Sequence, residues 1–397
     1  MRRAIVVGGG VAGPVVAMAL QRVGIEATVH EAHPGPAGDV GAWLGVQVNG
    51  LGALRAVGAE DAVRAAGIPT HTIQFRNARG RVLGSLPTGG PPTGISLRRS
   101  DLYRVLHAEA LRRGVEVRHG SRLTGVHDTA DGVTAEFADG RTETADLLVG
   151  ADGVRSTVRG WVDPACPPPR FVPVLNTAGY SAHVPAEAEV GRLTMVFGRR
   201  GFAGYLAAPG GGTWWFANPP LDREPPDGEV AGTPDLRWRA LLYDLHRGDL
   251  SPLVELVEAT PGPLRGWTTY DLPTVRRWSR GRAVLVGDAA HATSPAAGQG
   301  SSLAMEDAVV LARCLRDLPP VYALRVYEEL RRARAERVVA SAYRTSAAKS
   351  PPAVGRLVRD AVMPLVLRAR DPQAWMREHT VDWDAPVTAV TRSAPRR

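Results

Sequence analysis

Cysteine and lysine are the scarce residues of this 397-residue chain. Its two cysteines, Cys166 and Cys314, stand far apart without a C-x-x-C or a histidine cluster. That spacing excludes a disulfide framework, signals no zinc site and makes a reducing cytoplasm the expected compartment. Lysine occurs once, at Lys349, so the formal charge of +8 rests almost wholly on arginine, dispersed along the chain among Asp and Glu. With no basic stripe interleaved with aromatics, no nucleic-acid partner is expected. No uninterrupted apolar stretch reaches the roughly 18 residues of a membrane span, so no stable membrane insertion is expected.

Arg2 and Arg3 precede an apolar run ending at Ala17-Met18-Ala19, superficially a signal peptide. Gly8, Gly9, Gly10, Gly13 and Pro14 interrupt it, and the segment reads instead as the start of the fold. The hydrophobic share of 44% and the charged share of 22% are those of a globular protein. The length exceeds what one core usually serves, so two structural domains are expected.

Ala4 to Val7, a helical pattern from Val11 to Val23 and Ala27 to Val29 predict a βαβ opening. Asn49 is read as capping a helix through Val57, and Ser100 one from Asp101 to about Arg112. His71 to Leu86 reads as two strands around Asn77–Gly80, and Leu123–Val126, Val133–Phe137 and Leu147–Val149 as further strands. Five prolines between Pro164 and Pro173 suggest a linker. Beyond it, 171–275 is rich in strand runs (Leu193–Phe197, Phe202–Ala208, Trp214–Ala217), with Pro234–Glu258 read as helical. Ala283 to Val286 returns as a buried strand, and Leu303–Leu315 as a helix with Glu306 and Asp307 in its first turn. Later, Val354 to Val366 carries an amphipathic pattern with arginines around it and Pro364 inside.

Three segments carry chemistry. In Gly8-x-Gly10-x-x-Gly13, set between a strand and a helix, glycines let backbone approach a pyrophosphate at the positive helix end. Glu31 closes the next strand, where a carboxylate accepts hydrogen bonds from a ribose and repels a 2′-phosphate. Gly150-Ala151-Asp152-Gly153 and Gly287-Asp288-Ala289-Ala290-His291 to Gly298-Gln299-Gly300 follow. Asp288 sits at the end of an apolar strand, where ligands bind in open α/β sheets.

With these motifs in this order, over about 1–345 and including Arg99-Ser100-Asp101-Leu102, the chain resembles the single-component flavin monooxygenases of the para-hydroxybenzoate hydroxylase type. The resemblance implies an α/β fold: a Rossmann-like FAD-binding domain with a mixed sheet and helices on both sides, an inserted antiparallel β-sheet substrate domain, and C-terminal helices. The expected division is 1–70, 99–170 and 276–345 for the FAD-binding domain, 71–98 and 171–275 for the substrate domain, and 346–397 for C-terminal helices and tail. The cofactor contacts expected are Gly8, Gly10, Val11, Ala12, Gly13, Glu31, Arg99, Leu123, Asp152, Asp288, Pro295, Gly298, Gly300, Ser301 and Ser302. Arg155 and Arg159 are candidate phosphate partners; Tyr205 and Trp215 are assigned to the substrate pocket. No catalytic base is assigned, His291 is expected to pack or cap, and no metal is expected.

The activity implied is insertion of one oxygen atom into an aromatic or polycyclic small molecule, by hydroxylation or epoxidation. FAD, reduced by NADH or NADPH, would react with O₂ to form a C4a-hydroperoxide, in a monomer or homodimer. Three departures from the resembled pattern stand out: Ala32 after Glu31, Asp39 where relatives tend to carry arginine, and Ser301-Ser302 where many carry asparagine. A reductase, dehydrogenase or desaturase on the same FAD fold, and a flavin-binding module without turnover, stay open; a halogenase is disfavoured because no W-x-W-x-I-P-like segment occurs.

Overall fold

The computed structural model describes residues 1–35, 42–88, 93–347, 349, 352–369 and 371–388. Asp39 lies outside them. Buried on both faces over Ala4–Val7, β1 (Arg3–Val7) is followed by α1 (Ala12–Gln21) and β2 (Glu26–His30). Next come β3 (Trp43–Val46), α2 (Val48–Ala56), α3 (Glu60–Ala65), β4 (Ile68–Thr70) and the hairpin β5 (Thr72–Asn77) and β6 (Val82–Pro87). β7 (Gly94–Arg98) runs into α4 (Arg99–Arg112) and β8 (Glu116–Arg118). A meander of β9 (Leu123–Asp128), β10 (Val133–Phe137) and β11 (Thr142–Ala145) leads to β12 (Leu147–Gly150) and α5 (Thr157–Val162).

The second half opens with β13 (Arg170–Ser181), β14 (Arg192–Phe197), β15 (Phe202–Ala207) and β16 (Thr213–Asn218). Then follow α6 (Glu229–Gly232), α7 (Asp235–His246), α8 (Leu253–Glu258), β17 (Gly266–Asp271), β18 (Ser279–Arg280) and β19 (Ala283–Leu285). The chain closes with α9 (Asp288–His291), α10 (Gly300–Asp317), α11 (Pro320–Ala347), α12 (Ala353–Ala369) and α13 (Ala374–Arg377).

Two sheets organise these elements. One has the order β18-β19-β12-β1-β2-β8, parallel except for β18. Its strand order reverses about β1, with β2 on one side and β12 on the other, which forms the crevice where open α/β sheets bind ligands. The other, β17-β13-β16-β15-β14-β5-β6, is antiparallel except where β14 meets β5. α7 and α8 cover one of its faces through Trp238, Leu242, Leu253 and Leu256. The fold class is therefore the one expected: mixed α/β with a separate antiparallel sheet and helices at the C-terminal end.

Several local expectations change. The helix read over Pro234–Glu258 is two, α7 and α8, because Gly248 and Pro252 interrupt it. Asn49 is inside the first turn of α2, not its cap, and Ser100 is inside α4, whose cap position is Arg98. α10 starts at Gly300, which moves Glu306 and Asp307 out of its first turn and into the core. α12 runs through Pro364 and lies against β6, its Val354, Leu357 and Leu365 exposed. Among the described residues, no helix is long and apolar enough to cross a membrane.

Candidate active site

β19, β12, β1 and β2 are neighbours in the parallel sheet, so the segments after them, at Gly287, Ala151, Gly8 and Glu31, meet along one edge. Gly8 adopts φ +105°, and a Cβ there would lie 2.3 Å from the Ala151 oxygen. At Gly13 a Cβ would come within 1.9 Å of the Gly8 oxygen, so both positions admit only hydrogen. Gly10 has only the Tyr103 Oη, 3.9 Å from such a Cβ, and faces open space. The start of α1 at Val11 and Ala12 has no side-chain cap, which leaves its first amides to a ligand. Glu31 accepts the Gly9 N–H (2.7 Å) and the His33 N–H (2.8 Å), bracing the loop, and Gly9, Gly10, Glu31, His33, Tyr103 and His107 line a concavity beside it. Arg99 donates to the Tyr103 hydroxyl at 2.6 Å.

The second segment is held internally. Asp152 Oδ1 accepts the Ser156 hydroxyl (2.5 Å), and its Oδ2 accepts the Thr157 and Val158 amides (2.7 and 3.1 Å) at the start of α5. Burial raises its pKa against these bonds. Arg159 does not serve a phosphate: buried, it donates to the carbonyls of Ala289 (3.1 Å) and Val154 (2.6 Å), fastening α5 to the third segment. Arg155 is exposed, 5.9 Å from the Tyr270 ring. Leu123 is buried in the larger core.

At the third segment Asp288 is exposed at the end of β19, and among the described residues no hydrogen bond engages its carboxylate. Pro295–Ala297 form a short 3₁₀ turn closed by Gly298 at φ +59°. A Cβ on Gly300 would sit 4.0 Å from Asp288 Oδ1, so the start of α10 adjoins that carboxylate. Ser301 and Ser302 reach across to another strand: Ser301 Oγ donates to the Gly45 carbonyl (3.2 Å) and Ser302 Oγ accepts the Gln47 amide (3.1 Å).

Beneath the loop lies a charged network the sequence did not disclose. Asp307 accepts from the Gly287 amide (2.8 Å), Arg331 Nε (2.7 Å) and the His291 ring (2.5 Å). Glu306 takes Arg331 (2.6 Å), Arg334 and Asn49, and Asn49 also bonds Gln299 (2.9 Å). Burial would raise the Asp307 pKa, but His291 and Arg331 overcome it and bring it to about 2. Removing one partner from such a cluster typically costs about 3–5 kcal/mol, because a charge is left buried alone.

The open face of the seven-stranded sheet is tied to this loop through β3, where Trp43 packs on Phe216 while Gly45 and Gln47 bond Ser301 and Ser302. Sheet alternation sends Trp215 and Tyr205 to the opposite face, against α7 and α8, where Trp215 Nε1 donates to Thr260 (2.8 Å) and the Tyr205 hydroxyl to Glu187 (2.9 Å). The two residues expected in the substrate pocket thus lie on the face that α7 and α8 cover. Trp214, Phe216 and Met195 lie on the open face, half-buried, with Trp43 edge-on to Phe216 at 5.6 Å between ring centroids. Trp43 Nε1 donates to the Trp215 carbonyl (3.3 Å), tying β3 to the sheet. Arg98 lies over Tyr180 at 4.4 Å.

Backbone cradle, strand-end carboxylates and the switch in strand order define a dinucleotide-binding flavoprotein. Residues 2–342 match the family described as FAD binding domain, and the chain belongs to that family. It is 35% identical over 350 residues to the aurachin C monooxygenase/isomerase of Stigmatella aurantiaca, covering 86% of this chain and 88% of that one. It is also 33% identical over 408 residues to a 3-amino-4-hydroxybenzoate 2-monooxygenase of Streptomyces platensis, covering 94% and 95%. Among solved structures, Klebsiella pneumoniae HpxO complexed with FAD and uric acid superposes with a TM-score of 0.83 at 28% identity, covering 95% of each chain. FAD is the cofactor of this fold, and the site fits it: Asp288 offers a carboxylate that accepts no hydrogen bond among the described residues, and Gly8 and Gly13 keep side chains out of the cradle.

Proposed function

We propose that this chain is an FAD-dependent monooxygenase that uses NAD(P)H and O₂ to place one oxygen atom on an aromatic or heteroaromatic small molecule. The observation that carries the reading is that β3 joins a half-buried aromatic face to the loop before α10: its Trp43 packs on Phe216 beside Trp214, and its Gly45 carbonyl takes the Ser301 hydroxyl. The relatives named for 3-amino-4-hydroxybenzoate and found with uric acid extend the substrate class to ring systems bearing acidic O–H or N–H groups.

FAD supplies the electron transfer from NAD(P)H to O₂. Gly8, Gly10 and the first amides of α1 would receive its pyrophosphate, Glu31 a ribose and Asp288 the ribitol hydroxyls. The first amides of α10 favour negative charge developing beside them. Trp214 and Phe216 present ring faces for stacking and keep water from the reacting centre. Tyr205 and Trp215 support this wall from behind.

In this reading 1–70, 99–170 and 276–345 hold the cofactor, 71–98 and 171–275 the substrate, and 346–397 supplies C-terminal helices and tail. The two unpaired cysteines fit a cytoplasmic monomer or homodimer. The test is oxygen uptake and ¹⁸O incorporation by FAD-loaded protein with NADH or NADPH and a panel of hydroxylated aromatics. Stimulated uptake with label in the product is expected; conversion that proceeds without oxygen would identify a reductase instead.

A further inference from the structure

Lys349 is the chain's only lysine, and it is buried. Its Nζ donates to Asn218 Oδ1 at 2.6 Å and sits 4.8 Å from the centre of the Phe202 ring. Both partners are on the open face of the seven-stranded sheet, where Phe202 stands 6.0 Å from Phe216 of the aromatic wall. On its other side, Lys349 N–H bonds the Ser346 carbonyl, and Ser346 Oγ meets Ser294 Oγ at 2.5 Å, one residue before Pro295. The amine is therefore fixed between the substrate wall and the loop that opens α10. Asn218 is held in turn, its Nδ2 donating to Asn176 Oδ1 (2.8 Å).

Burial lowers the Lys349 pKa to about 7, and no charged side chain contributes. The groups packed on it, Asn218 from β16, Phe202 from β15 and Ser346 from α11, carry no charge. Among the described residues an ammonium there has no counter-ion, and an acidic ligand would supply one.

We propose that Lys349 is the proton acceptor for the substrate: its uncharged amine takes the proton of a ring hydroxyl or ring N–H, and the resulting ammonium pairs with the substrate anion. The O–H or N–H bond breaks with its electron pair left on the ring, a new N–H bond forms at Nζ, and nothing is oxidised or reduced. Asn218 Oδ1 keeps accepting one N–H throughout, which orients the amine. The anionic ring is richer in electrons and so more reactive toward oxygen transfer, and the proton leaves with product or to water. This assignment rests on the monooxygenase reading and names the base that reading lacks.

The experiment uses FAD-loaded protein with 3-amino-4-hydroxybenzoate and with urate as probes. Protein grown on ¹³C-lysine gives one Cε signal, assignable because there is one lysine. That signal should titrate near pH 7 and move when the compound that stimulates oxygen uptake is added. Lys349→Met should lower kcat/KM by about 100-fold or more and remove its rise with pH near 7. Lys349→Arg, which keeps the cation but cannot act as a base, should retain probe binding and lose the rate. A signal titrating near 10 and indifferent to the probes, or a Lys349→Arg enzyme with the wild-type pH profile, overturns the base while leaving the oxygenase intact. FAD-loaded wild-type protein that shows no NAD(P)H-dependent oxygen uptake with any aromatic in the panel overturns both.

Discussion

The cradle at the end of the parallel sheet and the aromatic wall of the antiparallel sheet are built by opposite means. The cradle consists of backbone and buried charge: glycines that admit no Cβ, carboxylates that hold amides, and Arg331 at 1% exposure between Glu306 and Asp307. The wall consists of side chains, and Trp214, Phe216 and Met195 keep part of their surface uncovered while Trp215 behind them has none. Fixed geometry suits one invariant cofactor; incompletely packed rings suit a ligand that differs from relative to relative.

The sharpest way to break the contrast is Gly13→Ala. Its methyl would fall 1.9 Å from the Gly8 oxygen, so soluble yield and flavin absorbance per chain should both collapse. Normal flavin content would show that the cradle yields as readily as the wall. Next comes a paired truncation one residue apart. Trp215→Ala should cost about 3–5 kcal/mol in urea unfolding, as a large core ring does. Trp214→Ala should cost clearly less and raise KM for the aromatic substrate instead. Equal losses of stability would mean that the open face is ordinary core.

The smallest effect is in pH dependence. Burial, helped by Arg118 and Arg141, lowers His30 beside the cradle to about 4, and burial lowers Lys349 at the wall to about 7. In both cases the unfolded chain binds more protons between the two pKa values, so stability rises with pH: from about 4 to 6.5 for His30 and from about 7 to 10.5 for Lys349. Denaturation across pH should show that His30→Gln flattens only the acid window and Lys349→Met only the alkaline one.

Most of the cradle was legible because its rule is local: Gly8, Gly13, Glu31 and Asp288 are each specified by a strand end and a few neighbours. The wall was not, since choosing between Trp214 and Trp215 requires knowing which face α7 and α8 cover, a fact of tertiary packing. The charged network joins residues as far apart as Asn49 and Glu306, beyond any motif. One signal was nevertheless present. Arg331 falls on the apolar stripe of α11 with Leu324, Tyr327, Ala335 and Val338, and a guanidinium on such a stripe implies buried acids opposite. Glu306 and Asp307 answer it, although their position near the start of a helix invited a simpler reading.

The burial of Lys349 also shapes the outside of the molecule. With the one ε-amine enclosed, the permanently cationic side chains on the described surface are guanidinium groups. Reagents that acylate or cross-link ε-amines would therefore find none on that surface.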